Sequence, residues 1–199
     1  MPKSTFFNLS DEKRNNVVKA SKKEFGRVSL NEALVKNIVI DAGIPRGSFY
    51  QYFEDIDDCF YYILNTYAKE IKQRLLLNLN KNKGDIINAY FDLYNYILEI
   101  INDSDNKDFF EKLFLNMNYK TQKMFTPNFN DGLNYILNAV DISKLNINSK
   151  FGIGYVLDIV ESVMLHNIIE SYKRNISKEK NIEIFEKELL LISKGIVKQ

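Results

Sequence analysis

Cysteine and histidine occur once each in the 199 residues, as Cys59 and His166. That scarcity excludes a disulfide framework and any zinc site built from several such ligands, and it leaves acid–base catalysis through a Ser/His/Asp arrangement hard to assemble. Three prolines and eight glycines are too few for a turn-rich β fold and favour long helices. No run approaches 18 consecutive apolar residues, and "MPKSTFFNLS" has no apolar stretch followed by a cleavage site. The expectation is a cytoplasmic protein without a membrane span or secretion signal. "GIGYVL" carries a glycine pair but lacks the third glycine and preceding strand of a phosphate loop, so Gly152 and Gly154 read as close helix contacts. No enzyme, cofactor or metal site is expected.

What the chain does contain is 45% apolar and 27% charged residues, the mixture of a soluble globular protein. The net charge of +1 hides an asymmetry. Residues 1–53 carry nine Lys/Arg against five Asp/Glu, and residues 54–199 carry 18 against 21. A basic head and a mildly acidic body suit a polyanion partner on the head side.

Apolar periodicity predicts an all-α fold of nine helices with no strand and no internal repeat. Ser10 reads as the N-cap of a first helix carrying Val17, Val18, Ser21 and Phe25 inward, stopped by Gly26. A second puts Leu34, Val35, Ile38 and Val39 on one face and ends at Gly43, where a sharp turn needs a left-handed residue. Pro45 then opens a third. Two short helices joined by a glycine-containing turn have the helix-turn-helix outline. From Asp55 and Asp58, read as caps, a long helix carries Phe60, Leu64, Tyr67, Ile71 and Leu75 to near "NKNKG". The next carries Ile87, Tyr90, Phe91, Tyr94, Ile97, Leu98 and Ile101. "FFEKLFLNM" is a shorter one, Pro127 starts another with Phe129 and Leu133 inward, and two last helices cover about 149–174 and 178–197.

Within 45–53, Phe49 and Phe53 are four apart and face inward together. Steps of about 100° per residue then turn Gly47 and Gln51 outward, flanked by Ser48 and Tyr50, with Arg46 free at the helix start. Short or flat hydrogen-bonding groups, one arginine and a glycine that admits a close backbone suit phosphate oxygens and base edges in a major groove. Tyr50 and Tyr52 could instead lie partly in the core with their hydroxyls in water.

"NIVIDAGIPRGSFYQYFEDIDDCF" resembles the signature of the TetR-type transcriptional regulators, a likeness specific over about residues 10–64. The resemblance implies a homodimer that binds a palindromic operator and releases it when a small molecule enters the helical body. It makes Ser48 and Tyr50 phosphate contacts and Arg46 and Gln51 the base-reading positions; Tyr52 and Lys36 complete the DNA-facing set. Two positions depart from the pattern. Leu34 stands where the family often has a capping Ser or Thr, and Ile56, alone among Glu54, Asp55, Asp57 and Asp58, stands where it often has a lysine.

In the body, Tyr94, Phe110, Phe114, Met117 and Tyr155 either line an effector cavity or are core. His166 is a packed or interface imidazole, or else an effector contact. Cys59 is a thiol mildly activated at a helix start, or an ordinary half-buried one. The expected organisation is a helix-turn-helix DNA-binding head, residues 1–53, and an effector-binding and dimerisation body, 54–199, whose last two helices pair with their copies as a four-helix bundle. The expected function is a ligand-responsive regulator, repressor rather than activator. The rival is a dimeric small-molecule-binding protein that has lost operator affinity.

Overall fold

The computed structural model describes residues 1–125, 133–147 and 150–197. Among the described residues there are eleven α-helices, two 3-10 turns and no strand; one isolated bridge joins Leu145 and Val197. The all-α class is as the periodicity predicts, with two more helices than the nine expected. Residues Met1–Ala68 with Ile100–Met117 form one compact unit, and Lys69–Glu99 with Asn118–Gln199 form the other.

In the first unit, α1 (Ser4–Phe7) is one of the two extra helices. Its Phe6 is fully buried, with the ring centroid 4.8 Å from Phe53 and 5.2 Å from Tyr62. Helix α2 (Asp11–Arg27) starts where expected, the Ser10 hydroxyl accepting from the Lys13 N–H at 3.4 Å. Val17, Ser21 and Phe25 are its buried stripe. Gly26 does not stop it. A Cβ there would come within 2.9 Å of the Asp108 backbone carbon and the Phe109 nitrogen, at the start of α7. The glycine serves close packing, and the helix ends one residue later.

After a 3-10 turn at Leu30–Glu32, α3 (Val35–Ala42) ends on Gly43 at φ +65°. No atom of the described residues lies within 4 Å of where a Cβ on Gly43 would sit, so its conformation is what calls for glycine. Leu34, read as inward, is the N-cap of α3 and 54% exposed; the helix begins one residue later than the apolar pattern implies, which rotates Leu34 off the buried face. Helix α4 (Arg46–Tyr52) follows, with Phe49 and Phe53 both 0% exposed. Helix α5 (Ile56–Lys81) opens on a reciprocal cap: the Asp58 N–H donates to Asp55 Oδ1 at 2.7 Å and the Glu54 N–H to Asp58 Oδ2 at 3.2 Å. Those two carboxylates do what the sequence assigns them. Cys59 is fully buried, donates to the Ser21 hydroxyl at 3.3 Å, and burial pushes its thiol up to about 12. It is inert, not activated.

Helix α6 (Ile86–Asn102) supplies residues to both units, as α5 does, and α7 (Lys107–Leu115) completes the first. The second unit adds α8 (Tyr119–Phe125), the other extra helix, then α9 (Leu133–Ala139), α10 (Lys150–Arg174) and α11 (Lys178–Ile196). The helix start expected at Pro127, with Phe129 on its stripe, lies outside the described residues. Gly152 is a close contact as read, although its neighbour is Ile147 in the preceding loop, 2.9 Å from a built Cβ. By length and composition α10 could cross a membrane, but more than half of its apolar window is buried in the protein. That is the pattern of a core helix: Ile153, Leu157, Val160, Met164 and Ile168 face inward.

Candidate functional site

The head site is built on a seven-residue helix. Its inner side is fixed by Phe49, whose burial contributes about 2 kcal/mol, and by the cluster Phe49–Phe53–Phe6, with successive ring centroids 5.3 and 4.8 Å apart. With that side committed, Arg46, Gly47, Tyr50 and Gln51 are exposed, and Ser48 and Tyr52 half-buried. Lys36 on α3 is exposed as well. The residues expected to face DNA are therefore exposed or half-buried, none of them in the core. Tyr50 meets Phe49 edge-on at 5.6 Å while 43% exposed, and Tyr52 lies 6.0 Å from Phe6; both are part core, part surface.

Gly47 is informative. It is the second residue of α4, and none of the described residues has an atom within 4 Å of where its Cβ would be. Packing within the protein does not require that glycine.

One residue of this framework escaped the sequence reading. Glu24 is 3% exposed, and its carboxylate accepts from Arg27 at 2.9 and 3.0 Å, from the Leu34 N–H at 2.9 Å and from Asn37 at 3.0 Å. Burial by itself would raise its pKa, but those donors outweigh it and hold the carboxyl below its usual range. Glu24 thus satisfies the N–H of Leu34, the N-cap of α3, as the Glu or Gln of a capping box does for its own helix. Its signal was the period: 17, 21, 24 and 25 share one side of α2.

The six residues read as an effector pocket are spread over different environments. Phe110 and Phe114 belong to the first unit, stacked with centroids 5.9 Å apart, with Phe110 also edge-on to Tyr67 at 4.8 Å. Met117 is half-buried just beyond α7. Tyr94 is in the core of the second unit, its hydroxyl donating to Asn181 Oδ1 at 2.7 Å and its ring 4.0 Å from Phe185. Tyr155 is 72% exposed and His166 exposed too. Residues 155, 159, 162 and 166 share the outer side of α10, opposite its buried stripe, so these two do not line an interior of this unit.

The second unit also holds a buried pair absent from the sequence reading. One turn before Tyr94, the Tyr90 hydroxyl donates to Glu161 Oε1 at 2.5 Å, and Glu161 Oε2 is buried without a partner among the described residues. Burial pushes the Glu161 carboxyl up to about 8, opposed by the Tyr90 hydrogen bond. A separate depression of about 360 Å³ lies between Gly84, Ile86, Lys144, Leu145 and Val197. Among the described residues no cluster of three His, Cys, Asp or Glu is placed to hold a metal.

Residues 85–196, more than half of the chain, match a family model described as the tetracyclin repressor-like C-terminal domain. Among solved structures, SmeT, the repressor of the Stenotrophomonas maltophilia multidrug efflux pump SmeDEF, superposes with a TM-score of 0.71 at 14% identity, over 98% of this chain and 93% of that one. The fatty acid degradation regulator FadR of Bacillus halodurans gives 0.64 at 11%, over 93% and 96%. FadR of Bacillus subtilis, in complex with stearoyl-CoA, gives 0.61 at 14%, over 91% and 98%. At such identities the likeness is one of fold. No curated protein matches the sequence.

Proposed function

We propose, for a chain that belongs to the tetracycline-repressor-like family of transcriptional regulators, that it binds a palindromic DNA operator as a homodimer and is released by a small molecule. The observation that carries the reading is the outer side of α4: Arg46, Gly47 and Gln51 are free of the core while Phe49 and Phe53 are fully buried. Arg46 and Gln51 read base edges, and Ser48, Tyr50, Tyr52 and Lys36 hold phosphates or position the helix. Residues 1–53 are the reading head and 54–199 the body that senses the effector. Repression follows from simple occupancy of the operator. No step of this role is enzymatic.

The exposed apolar residues Tyr155 and Ile159 on α10 and Leu190 and Leu191 on α11 support pairing of these helices with a second copy. Two heads so joined address half-sites about one helical turn or more apart. The triclosan complex of SmeT and the stearoyl-CoA complex of FadR support a small-molecule effector for this body, of a chemistry that is its own. Selection of duplexes from a random pool by the purified chain tests the proposal, followed by sedimentation with and without the selected site. A symmetric site bound by a dimer is expected. Failure to enrich any sequence would favour the rival, a dimeric small-molecule-binding protein, for which the exposed Leu34 at the α3 N-cap and the half-buried Ile56 at the start of α5 are the supporting features.

A further inference from the structure

A helix leaves its last four carbonyls without intrahelical donors, and in α4 these belong to Phe49, Tyr50, Gln51 and Tyr52. The Phe53 N–H takes the Phe49 carbonyl at 2.8 Å. The other three are taken by a segment far off in sequence. The Lys3 N–H donates to the Tyr52 carbonyl at 2.8 Å and the Lys3 ammonium to the Tyr50 carbonyl at 2.8 Å, while the Thr5 hydroxyl donates to the Gln51 carbonyl. Phe6, buried against Phe53 and Tyr62, anchors that segment. Lys3 and Thr5 are themselves exposed, so they fill no core. Their evident work is to close the end of α4, with the lysine charge at the negative end of the helix dipole.

We propose that Lys3 and Thr5 are positioning residues for base reading: they clamp the C-terminal end of α4 and thereby fix the aim of Gln51 and, through the helix, of Arg46. This rests on the reading of α4 as the DNA-reading helix. The physical need is plain, because a helix of this length does not hold itself in water, and base-edge recognition requires side chains placed to within about 0.5 Å. Thr5 holds the carbonyl of Gln51 itself, so its loss frees the last turn where a reading side chain is mounted.

The test uses the full chain and three variants: Thr5→Val, which keeps the shape and removes the donor; Thr5→Ser, which keeps the hydroxyl; and Lys3→Met, which keeps the stem and backbone N–H. Affinity is measured for the duplex selected by the unmodified chain and for a random duplex, across salt concentrations. Thr5→Val and Lys3→Met are expected to weaken the selected duplex roughly 3–10-fold, the effect of one net hydrogen bond, with random-duplex affinity and salt slope unchanged and the melting temperature lowered only slightly. Thr5→Ser should restore the affinity. Full specific affinity in Thr5→Val would overturn the clamp. An equal loss on both duplexes in Lys3→Met, with a salt slope shallower by about 0.9 per subunit, would instead make Lys3 a phosphate contact. Amide exchange of Gln51, Tyr52 and Phe53 in the free protein tests the clamp without DNA: faster exchange in Thr5→Val is expected, and unchanged exchange would overturn it. If the unmodified chain selects no duplex, the DNA reading falls and the reading role with it, while the exchange measurement still decides the clamp.

Discussion

The two compact units treat a buried carboxylate in opposite ways. In the first, Glu24 accepts from Arg27, from a backbone N–H and from Asn37, so its charge is stabilised and the start of α3 is fixed by it. In the second, Glu161 has one hydroxyl partner and, among the described residues, an oxygen with none, and burial favours its neutral form. A fully satisfied network makes a rigid part, whereas a half-satisfied one leaves a state that a proton or a ligand can change. That division accords with the proposed roles, a DNA-reading part with one geometry and an effector-responsive part with two.

The comparison breaks most visibly at Glu24. Glu24→Ala should cost about 3 kcal/mol of stability in urea denaturation, since it strands the Leu34 N–H, Asn37 and Arg27 together. Because its folded pKa is depressed, its contribution is present above the ordinary carboxyl value of 4.5 and is lost as pH falls through the lower folded value. The unmodified chain should therefore lose more stability than Glu24→Ala on acidification below about pH 4.5.

Glu161 carries the opposite sign. Its folded pKa of about 8 lies above the ordinary value of 4.5, so its contribution is complete below 4.5 and is lost as pH rises through 8. Stability should fall by about 2 kcal/mol between pH 5 and pH 8, less than the full 1.4 kcal/mol per unit because local opening admits water to the carboxyl. Glu161→Gln should flatten that slope. A slope identical in the variant would remove the contrast between the units.

Much of the head was legible because its chemistry is local. Ser10, Gly43, Asp55 and Asp58 act on atoms a few residues away, and Phe49 and Phe53 obey the helical period. What was not legible is decided at a distance. Gly26 answers to Asp108 and Phe109, the start of α3 answers to Glu24, and the end of α4 answers to Lys3 and Thr5. In the body, α10 is apolar nearly all round in its middle, so the period does not say which side of it is outward; Tyr155, read as cavity lining or core, is exposed there, and so is His166.

Two glycines of the head sharpen the comparison at smaller scale. Gly26→Ala pushes a methyl into the α7 backbone and should cost about 2 kcal/mol. Gly47→Ala meets only open space among the described residues and should stabilise the free protein by roughly 0.4–1 kcal/mol, through the lower entropy of the unfolded chain. Thermal melts of the pair should move in opposite directions. Operator affinity should fall in Gly47→Ala despite its greater stability, because the added methyl holds the DNA away.

The most direct test of the central claim is the ratio of selected-duplex to random-duplex affinity in Arg46→Ala. Arg46 is exposed at the first position of α4, and a base-reading arginine there predicts a loss of about 1–3 kcal/mol on the selected duplex with random-duplex affinity nearly unchanged. An equal loss on both would mean that Arg46 touches only phosphate, and the outer side of α4 would not be the surface that reads sequence.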